Sequence, residues 1–125
     1  MTLVLIAVGG AAGTVARYAV QTWVLELSGG RWPFGTLAVN LSGSFVLGVV
    51  FALSADKAIL PEELRLPLMV GFLGAYTTFS TLMLQSWRLA EHGSLLPALI
   101  NVVGSSILGL VAVFAGLALG RALAA

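Results

Sequence analysis

The sequence predicts an all-α membrane protein in which four transmembrane helices form a single domain over residues 1–125. Three observations predict it. Apolar residues make up 59% of the chain and charged residues 9%, against roughly 45–50% and about 25% in ordinary globular domains. The apolar residues gather into four runs, Leu3–Leu27, Phe34–Ala55, Leu66–Gln85 and Leu95–Leu119, each near the ~20 residues that cross a bilayer as a helix. The charges fall almost entirely between those runs. A soluble chain this small needs a charged surface, so the outer surface here must face lipid.

The connectors carry their own signals. Ser28-Gly29-Gly30-Arg31-Trp32-Pro33 breaks the first helix from the second. Pro61-Glu62-Glu63 suits the start of the third span, with proline at the first position and acids in the first turn. Gly93-Ser94 stops one helix and offers a cap to the next. Trp23, Trp32 and Trp87 lie near predicted helix ends, where aromatic belts form. Met1-Thr2 runs straight into Leu3 without the basic stretch of a secretory leader, so the first span is expected to be retained.

An even number of spans puts both termini on one side. That side carries Lys57, Arg65 and Arg121, and the other carries Arg31 and Arg88. Lys/Arg asymmetry sets orientation, and three against two is almost none. Two topologies remain open: insertion both ways round, which makes an antiparallel homodimer natural, and a fixed orientation set by the insertion machinery. Gly9/Gly13, Ser44/Gly48 and Gly116/Gly120 are small residues four apart, the spacing that lets helix backbones approach in lipid.

Several polar residues lie inside the runs. Arg17 is the one full charge well within a span, ten residues before Leu27, which is about 15 Å from that end. It either faces water or a partner in a functional role or snorkels to the interface. Thr36, Asn40 and Ser44 form one stripe on span two, and Asn101 and Ser105 form another on span four. An amide unpaired in lipid is costly, so these stripes either bond helix to helix or line a polar path. Span three holds Gly71-Phe72-Leu73-Gly74-Ala75-Tyr76-Thr77-Thr78-Phe79-Ser80-Thr81. Glycine and β-branched threonine weaken a helix. Either the helix breaks there, where protein or water covers the freed backbone groups, or it continues with its hydroxyls on a packing face.

Other chemistry finds little support. Net charge is +1 with no basic patch, so no nucleic acid is expected as a partner. There are no cysteines, which removes disulfides, thiol chemistry and thiolate metal sites. His92 is the one histidine and sits in a connector beside Glu91, and no acid lies in any span's interior. No nucleophile–base pair, metal-ligand cluster or phosphate loop is present, so an enzyme is not expected.

The chain resembles the Fluc/CrcB fluoride channel family along essentially its whole length. The resemblance rests on Gly9 to Tyr18, Gly35 to Phe45, Gly71 to Thr81 and Asn101 to Gly109. The Gly-x-x-Gly-x-x-Thr-Thr-Phe-Ser-Thr string is its most specific part. It implies a dual-topology antiparallel homodimer in the cell inner membrane, with two anion pores and a third helix broken mid-membrane. It implies that Phe79 is the first ring of the family's phenylalanine box, with Ser80 and Thr81 as neighbouring hydroxyl donors. By the same resemblance Asn40 is similar to the pore asparagine. Thr36, Asn101 and Ser105 are similar to the polar track, and Arg17 to the vestibule arginine. Gly74 and Thr77 are similar to the positions whose backbone carbonyls hold a structural sodium ion at the dimer centre.

Two positions depart from the family's pattern. Leu82 stands where a second phenylalanine is usual, three residues after Phe79, and Gln85 where a glutamate is common. The expected function is passive, fluoride-selective export that protects the cell from a toxic anion. One alternative is a subunit that needs a homologous partner to supply the missing ring. Another is a small four-helix multidrug exporter, which needs a membrane-embedded carboxylate that these spans lack. A third is an assembly subunit of a larger membrane complex.

Overall fold

The computed structural model describes residues 1–125 and is all-helical, with no strand. Helix α1 spans Thr2–Ser28 and α2 spans Phe34–Phe51, which runs on as a π-helical turn, Ala52–Asp56. Helix α3, Glu62–Leu66, passes into a π-helical stretch, Pro67–Leu73, and a single turn α4, Gly74–Tyr76. Helix α5 spans Phe79–His92 and α6 spans Leu95–Leu123. Four segments are long and apolar enough to cross a membrane: Thr2–Ser28, Phe34–Asp56, Glu62–His92 and Leu95–Leu123. The third and fourth reach well past their expected ends at Gln85 and Leu119, because polar residues at a membrane surface continue a helix as readily as apolar ones.

Local chemistry sets the ends. Gly29 and Gly30 have φ of 70° and 72°, the left-handed conformation that closes a helix C-terminus and that glycine adopts without strain. Pro61 precedes α3 with an extended ψ of 139° and so occupies the cap rather than the first helical position, with Glu62 and Glu63 in the turn behind it. Ser94 sits at the cap of α6, yet its hydroxyl makes no capping bond, so its role there is the extended backbone alone. Pro67 falls inside the third span. Its missing N–H and its ring remove one bond of the ordinary ladder, and the helix is π-helical from that residue onward.

Packing follows the small residues. α2 lies against α6, and α1 lies against the π-helical stretch. A Cβ on Gly116 would strike the Phe45 carbonyl oxygen, one on Gly48 would strike that of Val113, and one on Gly120 would come within 2.7 Å of the Ala52 methyl. On the other seam a Cβ on Gly13 would strike the Phe72 carbonyl, and one on Gly9 would come within 2.6 Å of that of Pro67. The bundle is held by backbone-to-backbone approach, since lipid supplies no hydrophobic force between helices. Its interior is correspondingly thin: the buried apolar side chains are Val39, Ala52, Leu73, Leu82 and Ala98.

Candidate functional site

The site is built where the third span leaves helical geometry. Thr77 has ψ 156° and Thr78 has φ −148°, ψ 118°, both extended. In an uninterrupted helix the Thr78 N–H would bond the Gly74 carbonyl, and the Thr81 N–H would bond that of Thr77. Here the Thr78 N–H donates to Asn40 Oδ1 at 2.7 Å. The Thr81 N–H donates to Thr78 Oγ1 at 3.3 Å, so Thr78 caps α5. The break therefore frees the carbonyls of Gly74 and Thr77 from their ordinary donors, along with those of Ala75 and Tyr76 at the end of α4.

Asn40 does more than accept. Its Nδ2 donates to the Thr78 carbonyl at 3.0 Å. One side-chain amide on α2 thus pairs both polar groups of a single extended residue, as a neighbouring strand would. That uses the acceptor and one of two N–H donors, and leaves the other N–H for a ligand. Thr78 Oγ1 donates to Thr81 Oγ1 at 3.0 Å, and Thr77 Oγ1 returns to the Leu73 carbonyl at 3.0 Å.

Two cavities flank this knot. The first, about 270 Å³, is lined by Asn40, Ser44, Gly74, Thr77, Thr78, Phe79 and Leu82 among others. Phe79 is 74% exposed, whereas Leu82 is 7% exposed, so only the first of the two positions turns outward. Ser80 is exposed beside Phe79. The second cavity, about 230 Å³, is lined by Tyr18, Gln21, Thr36, Thr81 and Gln85 among others. Thr36 is 2% exposed and accepts from Gln21 Nε2 at 3.2 Å. Gln85 Oε1 is buried and has no hydrogen-bond partner. The Thr78–Thr81 bond joins the walls of the two spaces.

The remaining expected residues stand apart. Asn101 is 4% exposed and its Nδ2 donates to Ser86 Oγ at 2.9 Å, while Ser86 donates to the Leu82 carbonyl at 2.7 Å. This stripe bonds helix to helix, tying α6 to α5, and Asn101 lines neither cavity. Replacing Asn101 with leucine, which keeps the volume and removes the bond to Ser86 while that hydroxyl keeps the Leu82 carbonyl, is expected to cost about 0.5–1.5 kcal/mol of stability; denaturant unfolding in detergent measures it. Ser105 and Arg17 are half-buried, make no hydrogen bond and line neither cavity. Arg17 also has no carboxylate partner, since the one ion pair joins Arg121 to Asp56 at 2.8 Å.

Sequence reasoning missed Gln21 and Thr78 as members of the site, and Ser86 as the partner of Asn101. Gln21 carried a usable signal, a primary amide inside an apolar run. Thr78 stood in the flagged string, but nothing in the residues alone singles it out as the one that Asn40 holds.

Comparison with known proteins agrees with the resemblance. Residues 4–117 match the family described as CrcB-like protein, Camphor Resistance (CrcB). A protein of Hahella chejuensis named fluoride-specific ion channel FluC is 50% identical over 119 residues, covering 95% of this chain and 94% of that one. A protein of the same name from Agrobacterium fabrum is 44% identical over 121 residues, covering 97% of each chain. One from Rhizobium etli is 50% identical over 119 residues, covering 95% of each. With four membrane-capable helices and a match that runs nearly end to end, this chain belongs to the CrcB family.

Proposed function

We propose that this multi-pass membrane protein is a fluoride-selective channel that releases cytoplasmic fluoride passively down its gradient across the cell inner membrane. The observation that carries the reading is the knot at Thr77–Thr78: it gathers the Asn40 amide, the threonine hydroxyls and the Phe79 ring at one cavity. The chain in which it occurs matches proteins named fluoride-specific ion channels over nearly its whole length.

The chemistry suits that anion. Fluoride is small and tightly hydrated, so a pore must replace water with close donors. The spare Asn40 N–H and the hydroxyls of Thr36, Ser80 and Thr81 supply them. A phenylalanine ring is positive at its edge, so Phe79 offers an anion a weak contact while denying it a continuous wet path. Asn101 is committed to Ser86 and neither it nor Ser105 lines these cavities, so both stand outside this path, while Arg17, with no carboxylate partner, raises the local anion concentration at the mouth.

The working unit in this reading is an antiparallel homodimer with its third helices broken at mid-membrane. The near-even charge distribution supports dual insertion. The exposure of Gly74, Ser80 and Phe79 supports a covering second copy, because a serine hydroxyl without a hydrogen bond is a poor surface to show to lipid. The diverted carbonyls of Gly74 and Thr77 suit a structural sodium ion: hard oxygen donors hold hard cations, and no side-chain carboxylates or histidines converge to compete. Sodium would satisfy those carbonyls and join the subunits, and no fluoride step passes through it.

Efflux from liposomes loaded with potassium fluoride, started with a potassium ionophore and read with a fluoride electrode, tests the proposal. Fluoride release without chloride release is the expected result. Phe79→Leu, which leaves positions 79 and 82 both aliphatic, is expected to slow release at least about tenfold. Absence of fluoride release from well-folded dimers would sink the homodimeric channel.

A further inference from the structure

A third space, about 410 Å³, opens at the end of the bundle where α1 turns into α2 and α5 into α6. Arg31, Arg88 and His92 line it together with Trp32, and no acidic residue does. The whole chain has six lysines and arginines, and two of them share this one recess. Neither has an ion-pair partner; the molecule's single salt bridge, Arg121–Asp56, lies at the opposite end. Glu91, the acid nearest in sequence, accepts from Trp87 Nε1 at 2.8 Å and so has its own partner. His92 Nδ1 donates to the Arg88 carbonyl at 2.8 Å, so Nε2 is left to donate to a phosphate oxygen in the imidazolium form of the ring.

Depth supplies the second argument. All three tryptophans, Trp23, Trp32 and Trp87, lie toward this end, and Trp23 and Trp87 are 62% and 65% exposed. Tryptophans collect at the level of lipid headgroups. Two unpaired guanidinium forks at that depth, with apolar Leu25 and Leu89 alongside, match a phosphate with acyl chains below it, since arginine meets phosphate oxygens in a bidentate fashion.

We propose that Arg31, Arg88 and His92 form a site for a phosphate group at the membrane surface, filled by the headgroup of an anionic phospholipid. This rests on the membrane-spanning placement of the chain and not on fluoride conduction. The full-length protein in nanodiscs of phosphatidylcholine, with and without phosphatidylglycerol, provides the test, read as the unfolding midpoint and as lipid retained in native mass spectrometry. Phosphatidylglycerol is expected to raise the midpoint by on the order of 5 °C. Arg31→Gln/Arg88→Gln is expected to lose most of that rise, while Lys57→Gln/Arg65→Gln, which removes equal charge elsewhere, keeps it. If the glutamine pair does not fold, Arg31→Lys and Arg88→Lys keep the charge but lose the fork, and a reduced rise is expected for each. Inorganic phosphate added to neutral nanodiscs against chloride at matched ionic strength separates the sources: a shift that depends on Arg31 and Arg88 there gives the same site a soluble ligand. An undiminished rise in the Arg31/Arg88 variant, an equal loss in the Lys57/Arg65 variant, or no rise in the unmodified protein overturns the proposal. So does a fall in fluoride efflux in neutral lipid with the midpoint unmoved by phosphatidylglycerol, which would make these arginines an anion entrance only.

Discussion

Asn40→Ala is expected to reduce fluoride efflux at least about a hundredfold and to loosen the third span. The amide holds the N–H and the carbonyl of Thr78 at 2.7 and 3.0 Å. Removing it strands the N–H of a residue that is 7% exposed, at a cost of about 1–3 kcal/mol, and takes one donor from a carbonyl that, at the cap of α5, also accepts from the first turn of that helix. A barrier raised by roughly 2.7 kcal/mol already slows passage a hundredfold. The simplest escape for the backbone is to rejoin the helix, with the Thr78 N–H returning to the Gly74 carbonyl. That would swing Phe79 and Ser80 off their present direction and withdraw one of the carbonyls suited to sodium. Asn40→Asp separates positioning from donation: a carboxylate still accepts from the Thr78 N–H, but it donates nothing and repels an anion. Efflux is expected to stay low in this variant while hydrogen exchange at the Thr78 amide stays slow; in Asn40→Ala that exchange is expected to quicken. Near-normal efflux from Asn40→Ala would remove Asn40 from the pathway.

The second large effect is on stability and contrasts two glycines of α6. A Cβ at Gly116 would collide with the Phe45 carbonyl, where α2 and α6 meet backbone to backbone. Neither backbone can yield without opening the seam, so Gly116→Ala is expected to destabilise by about 1–3 kcal/mol or more. At Gly104 a Cβ would meet nothing within 4 Å. Gly104→Ala is expected to be neutral or to stabilise by up to about 1 kcal/mol through helix propensity alone. Unfolding in detergent, followed by circular dichroism, compares the two, and equal losses would show that a second subunit covers Gly104 in the assembled protein.

Composition and run length by themselves determined that this is a multi-pass membrane protein with four helices able to cross the bilayer, because an apolar surface with 9% charge suits no other solvent. The order of motifs was likewise enough to place the chain in its family. The small-residue spacing foretold close helix contact, but tertiary structure decided the partners: Gly116 against Phe45, Gly13 against Phe72. The polar stripes were legible as residues that lipid would not tolerate, not as to purpose. Thr36 and Asn101 turned out to bond across helices to Gln21 and Ser86, whereas Asn40, on the same stripe as Thr36, grips a backbone. The glycines and threonines of span three marked a weak helix over eleven residues. Which two of them leave helical geometry is settled by an amide on another helix, because a weak helix yields where something outside it satisfies the groups it releases.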